Sequence, residues 1–179
     1  MFKLITKTIA TVAIVSVALF GSANAKTLKI ETHFTASSPN GEVAAQFAKN
    51  VEMFSGGSLK VQMFYSSSVT GKSAEVFNAA QTGIIDCDMT GAGYQTGKNA
   101  AFQFAGDVMG GYDNPYQQYD FLKFPGAQEA VDALYNKYGM TLIGWWIPGH
   151  ESLISSKPIP DVASIKDFKF RSPPGMESM

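Results

Sequence analysis

The sequence predicts an α/β fold built on a parallel sheet. Three observations carry that expectation. Runs that alternate apolar and polar residues are interleaved with runs whose apolar residues fall at helical spacing. Their order over residues 27–90 is strand, helix, strand, helix, strand. Glycines and serine-rich turns punctuate the joints between them.

Each element has its own signal. "TLKIETHF" sets Leu28, Ile30, Thr32 and Phe34 on one face, as a strand does. "TASSPNGE" is a polar turn. "EVAAQFAKNVEMFSGG" places Val43, Phe47, Val51 and Phe54 on a helical stripe, and Gly56-Gly57 stops it. "SLKVQMFY" alternates at Leu59, Val61, Met63 and Tyr65, giving a second strand, and "SSSVTGK" is a loop. "SAEVFNAAQTG" is a short helix with Val76, Phe77 and Ala80 inward, and "IIDCDMT" is a third, largely buried strand. Residues 91–115, rich in glycine and aromatics, form a loop with short helical turns. "YQQYDFLKF" and "AQEAVDALYNKYG" are helices, with Val131, Leu134 and Tyr135 facing the core. "MTLIGWWI" is expected as a fourth strand and "ESLISSKPI" as a fifth, extended segment. "DVASIKDF" is expected as a helical turn and "KFRS" as a sixth strand.

The first 25 residues stand apart from the fold. Lys3 and Lys7 precede an apolar stretch from Ile9 to Phe20, and Ala23-Asn24-Ala25 has the small-x-small form of a cleavage site. That pattern is a secretory signal peptide, with an apolar core too short to span a bilayer. The formal net charge is −1, and no basic stripe offers itself to nucleic acid. The single cysteine, Cys87, excludes an internal disulfide and a Cys-rich zinc site. Its apolar setting reads as an inert, buried thiol. An exported chain without disulfides fits a bacterial periplasm.

Catalytic signals are weak. The two histidines, His33 and His150, lack a nucleophile-elbow context, and no H-E-x-x-H pattern is present. "GAGYQTG" lacks the lysine and hydroxyl ending of a phosphate loop. These absences point away from an enzyme. Binding is better served, because ligands of open α/β sheets sit beyond the carboxyl ends of the strands. His33, Ser37 and Ser38 follow the first strand, Ser66 to Ser68 the second, and Gly91 and Tyr94 the third. Trp145, Trp146, His150 and Glu151 lie at the end of the fourth, and Arg171 at the end of the sixth. Together they suggest a polar pocket for a small anion. Bland readings stand beside this one. Tyr94 serves packing as readily as a ligand, adjacency sends one tryptophan inward, and serine turns are often only solvated. Arg171 alternates away from Phe168 and Phe170, so the residues alone leave a carboxylate fork and a surface charge equally open.

Two blocks resemble a known family. One is "GGSLKVQMFYSSSVTGKSAEVFNAAQTGIIDCDMTGAG"; the other is "GWWIPGHESLISSKPIPDVASIKDFKFRSPPGMES". In order and spacing they resemble the DctP-type solute-binding subunits of TRAP transporters. The resemblance covers the chain after the leader. It implies a two-lobe periplasmic binding protein that closes on an organic acid and delivers it to ion-coupled TRAP membrane permease subunits. It divides the chain into signal peptide (1–25), first α/β lobe (26–149) and the start of a second lobe (150–179). On this resemblance Arg171 is the carboxylate clamp and Tyr94 the aromatic after the third strand. His150 or Glu151 is the variable polar position at the lobe crossing. No cofactor is implied, though some relatives of the 2-oxoacid-binding kind hold a cation beside the carboxylate, and Glu151 is the residue to share in it. "YSSSVTGK" departs from the proline and "LG" of many members, and "PGHE" lies where members vary with ligand class, so the acid is not named by sequence. Trp145 and Trp146 favour a ligand with an apolar body. Pro173-Pro174 suits a helix entry, so the chain is expected to be truncated and to bind poorly alone. The rival functions are a periplasmic enzyme on the same scaffold and the sensing lobe of a signalling receptor.

Overall fold

The computed structural model describes residues 25–106, 108, 111–147 and 152–172. Strands β1 (Lys26–Thr32), β2 (Leu59–Phe64) and β3 (Cys87–Met89) form a parallel sheet in the order β2-β1-β3. On one edge of β1 the register runs from Lys26 opposite Leu59 to Glu31 opposite Phe64. On the other edge Ile30, Glu31 and Thr32 face Cys87, Asp88 and Met89. Helix α1 (Pro39–Phe54) makes the first crossover. A 3-10 turn (Ser73–Glu75) and helix α2 (Val76–Gln81) make the second. The order read from sequence is the order observed, as parallel pairing through helical crossovers requires.

The start of α1 is fixed locally. Ser38 caps it by accepting the Gly41 N–H at 3.1 Å, and Pro39 occupies its first turn. Its buried face is not the expected one. Gly41, Ala44 and Ala48 point inward, while Val43 and Phe54 are exposed, Phe54 at 81%. Small residues win because close packing is worth more here than bulk. A methyl group on Gly41 would run into the Thr35 carbonyl. Gly56 and Gly57 end the helix at φ +60° and +81°, and the Gly57 N–H donates back to the Glu52 carbonyl at 3.0 Å. In α2, Val76, Phe77 and Ala79 are buried. Ala79 rather than Ala80 is the fully inward alanine.

The main core is aromatic. Phe77, Phe102, Ala105, Val131 and Leu134 are buried together, with Tyr135, Tyr138, Leu142 and Trp145 packed against them. Phe102 meets Phe77 edge-on at 5.8 Å and Tyr135 edge-on at 5.2 Å, the geometry that ring quadrupoles favour. Phe102 belongs to a 3-10 turn (Ala100–Phe104) in the glycine-rich loop. Tyr135 belongs to helix α4 (Pro125–Asn136), which follows α3 (Pro115–Lys123). Asn114 caps α3 by accepting the Tyr116 and Gln117 N–H groups.

The expected fourth, fifth and sixth strands are not strands. Residues 140–147, and the described residues from 152 to 172, join no ladder. A strand needs an edge to pair with, and β3 offers only three residues. The 140–147 segment is held by side chains instead. Leu142 packs on the core, and the Trp145 indole N–H donates to the Ala105 carbonyl at 3.2 Å. Beyond it, the apolar periodicity has no sheet to cover, so Leu153, Ile154 and Phe170 are exposed. The expected helical turn near residue 163 is present as Val162–Ile165, capped by Asp161.

The close approach at Gly41 gives a prediction whose sign opposes helix propensity. Alanine in an open helix position would help by about 1 kcal/mol. Here Gly41→Ala is expected to destabilise the chain by roughly 1–3 kcal/mol through overpacking, read as a lower urea midpoint; an unchanged or raised midpoint refutes the packing argument.

Candidate functional site

The carboxyl ends of the three strands converge on one aromatic group. His33 and Phe34 leave β1 with ring centroids 3.9 Å apart. Tyr94, in a 3-10 turn (Ala92–Gln95) after β3, meets His33 edge-on at 5.4 Å. Trp146 meets Phe34 at 5.1 Å. The two tryptophans therefore part company: Trp145 enters the core and Trp146 joins the strand ends. All four rings are partly exposed, so they form a wall that solvent reaches, which is what a ligand crevice needs.

The loop after β2 closes against the same end. The Ser66 and Ser67 N–H groups donate to the carbonyls of Phe34 and Thr32 at 2.9 and 3.0 Å. Both serines sit at positive φ, 57° and 50°, a region that costs a non-glycine residue on the order of 1 kcal/mol or more. Glu31 helps to offset that cost. It is fully buried, and its Oε1 accepts the Val69 N–H at 2.6 Å and the Thr70 N–H at 3.4 Å. The carboxylate thus ties β1 to the loop that borders the crevice.

Beneath the rings lies a layer of unsatisfied polar atoms. Glu31 Oε2, His33 Nδ1, Asp88 Oδ1 and Thr90 Oγ1 are sealed from solvent without a hydrogen-bond partner among the described residues. Glu31 and Asp88 are register partners, and His33 and Thr90 each lie two residues further along, so the alternation of strands sets all four on one face. Burial pushes Asp88 up to about 6, Thr90 pulls back in part, and the charge of Glu31 pushes it further. The residue retains some exposed surface, but Oδ1 has none, and it is the oxygen's desolvation that sets the direction. Burial lowers His33, leaving a neutral imidazole at pH 7. Burial is also the main cause that raises the Cys87 thiol, with Asp86 and Asp88 adding to it. Cys87 is free and half-buried, as an inert thiol would be.

The residues singled out in the sequence fare differently. Tyr94 and Trp146 are brought into one group, though by way of His33 and Phe34. Ser37 is exposed in the turn before α1, and its neighbour Ser38 does the capping. Arg171 is exposed on an unpaired segment. His150 and Glu151 lie outside the described residues. Sequence reading passed over Glu31, Asp88 and Thr90. A signal was available: a central parallel strand is buried on both faces, so the polar partner of each apolar residue in "IETHF" and "DCDMT" is buried too. Among the described residues no three acidic, histidine or cysteine side chains converge as a metal site.

The family model of the bacterial extracellular solute-binding proteins, family 7 (DctP), matches residues 30–179. The chain belongs to this family. A curated relative from Nostoc, named a monocarboxylate 2-oxoacid-binding periplasmic protein, is 28% identical over 140 residues, which is 73% of this chain and 35% of the relative. A TRAP periplasmic solute-binding protein of Rhodobacter sphaeroides, solved in an open form without ligand, is 27% identical with a TM-score of 0.61, over 66% of this chain and 37% of that one. One from Pseudoalteromonas atlantica, solved with sodium and pyruvate, has the same fold at 20% identity and a TM-score of 0.59, over 65% of this chain and 35% of that one. The family's members are solute-binding receptors, and the chain spans about a third of the length of the relatives it matches.

Asp88 gives a signed prediction. Its folded value, about 6, lies above the ordinary carboxylate value of 3.8, so the folded state binds its proton more tightly than the unfolded state. The cost of burying the carboxylate is absent below pH 4, grows between pH 4 and 6, and is constant above. Asp88→Asn is expected to stabilise the chain by on the order of 2–3 kcal/mol at pH 7 and hardly at all at pH 4. Urea unfolding at the two pH values checks it; equal effects at both remove the desolvation argument.

Proposed function

We propose that this chain provides the first lobe of a periplasmic receptor that captures an organic acid and delivers it to a TRAP-type membrane permease. The observation that carries the reading is the aromatic wall of His33, Phe34, Tyr94 and Trp146 at the carboxyl ends of parallel strands, where ligands of such sheets bind. Membership of the DctP family supports it. The name of the Nostoc relative favours a monocarboxylate, a 2-oxo acid among them. The apolar ring faces suit the ligand's carbon body, and they leave its carboxylate to a cation supplied from elsewhere.

Arg171 is the candidate for that cation. Its guanidinium offers two parallel donors to a carboxylate, and its exposure leaves it free to take one. In this reading residues 26–149 form the first lobe, residues 150–179 begin the second, and residues 1–25 are the export signal. Lobe closure would exclude water and strengthen the ion pair. His150 and Glu151, at the crossing, would tune the choice of acid, and Glu151 would share in any cation beside the carboxylate. What supports a receptor rather than an enzyme is the setting of His33, which has aromatic neighbours and, among the described residues, no hydrogen bond to a serine or cysteine.

A thermal-shift screen against monocarboxylates, 2-oxo acids, dicarboxylates and aromatic acids tests this, run on the longest natural form of the chain. One acid class is expected to raise Tm in a concentration-dependent way. Trp146→Ala and Tyr94→Ala should weaken that acid roughly tenfold, at about 1–2 kcal/mol for a lost aromatic contact, and Arg171→Ala should weaken it more. No shift from any acid overturns the receptor reading. A shift that Arg171→Ala keeps in full removes Arg171 as the clamp.

A further inference from the structure

Glu31 and Asp88 are an unusual pair to find under a crevice for an anion. They sit opposite each other on adjacent parallel strands, each one residue inside the carboxyl end of its strand. That is about 6.6 Å of strand rise, two residues, below the level where His33 and Thr90 begin the crevice. Each has one oxygen sealed from solvent and without a partner among the described residues. No lysine or arginine charge there acts on Asp88. Two bare carboxylates in this position would oppose each other and any acid anion bound above them.

The two are not equivalent. Glu31 Oε1 accepts two backbone N–H groups, from Val69 and Thr70, which commits that oxygen to the loop. Asp88 has only its neighbour Thr90 as a donor, and burial outweighs it. Its neighbours do not supply charge either. Tyr135 on α4 is raised by burial and by Asp88 itself, Cys87 is raised by burial, and both remain neutral. His33 is lowered by burial, which favours the neutral imidazole.

We propose that Asp88 is a proton site coupled to the ligand crevice, so that the receptor takes up a proton at Asp88 when it binds its acid as an anion. Glu31 holds the loop through Oε1, while the protonated Asp88 gains a donor that can reach Glu31 Oε2 or Thr90 Oγ1, the unpartnered oxygens beside it. The balance is simple: one H⁺ leaves the solvent and forms the Asp88 O–H bond, and no other bond changes. The raised value of Asp88 puts the event within the range of ordinary growth media. An anion above it raises Asp88 further, and by linkage a proton on Asp88 tightens the anion.

This rests on the receptor reading, and the experiment separates the two. Carbon-13 NMR of the Asp88 carboxyl in the ligand-free chain should titrate near pH 6; a midpoint at or below 4 overturns the proton site whatever the ligand. Calorimetry with pyruvate as the probe 2-oxo monocarboxylate, in two buffers of different ionisation heat, should show proton uptake at pH 6.5. Affinity should be roughly ten- to twentyfold higher at pH 5.5 than at pH 7.5, within the limit that one linked proton at a group near 6 allows. Asp88→Asn should bind tightly at both pH values without proton uptake, and His33→Gln should keep the parent's pH dependence. Unchanged pH dependence in Asp88→Asn, or its loss in His33→Gln alone, overturns the proposal. Pyruvate binding at neither pH, with Asp88 titrating near 6, overturns the coupling and turns the receptor reading back to its wider acid screen.

Discussion

The pairing of β1 on both its edges is the constraint from which the rest follows. Each neighbour of β1 is reached through a helical crossover that returns the chain to the same end of the sheet, so both pairings are parallel. The short β3 meets only the last three residues of β1. This brings Ile30, Glu31 and Thr32 into the most enclosed part of the sheet, and all three are buried. What leaves the sheet next, His33 and Phe34, is thereby placed at its rim beside whatever follows β2 and β3.

Burial of Glu31 makes that rim a built structure rather than a set of chain ends. A fully buried carboxylate is costly unless its oxygens are satisfied, and here one oxygen is satisfied by the amides of the loop after β2. That loop includes two serines in a left-handed conformation, which their N–H bonds to Phe34 and Thr32 and the Glu31 contact hold in place. The second oxygen and Asp88 opposite are not satisfied in the same way. Stability and the proposed function draw on the same residues: the group that orders the crevice wall also sets an unsatisfied oxygen beside Asp88, and the proposed proton on Asp88 would give that oxygen a donor.

The aromatic core has a different task. Phe77, Phe102, Tyr135 and Tyr138 lock α2, the glycine-rich loop and α4 into one mass. That mass anchors Trp145, and Trp145 in turn delivers its neighbour Trp146 to Phe34. The glycine-rich loop, which lacks regular periodicity, is thus ordered by two 3-10 turns and by the rings it contributes.

By itself the sequence determined the parallel α/β order, the two helices after residue 115, the opposed tryptophans and the kinship with solute-binding receptors. These are local or pairwise properties: strand and helix periods, and residues adjacent on an extended chain. Tertiary structure alone decided which face of α1 turned inward, because the sheet required Gly41, Ala44 and Ala48 where hydrophobicity favoured Val43 and Phe54. It also decided that "MTLIGWWI" would pack without pairing, since strand propensity is realised only where an edge is available. And it decided that Glu31 and Asp88 would share one sealed layer, since only the register between β1 and β3 sets residues 57 positions apart side by side. The chemistry of each residue is written in the chain; the dielectric in which that chemistry operates is set by what the fold lays over it.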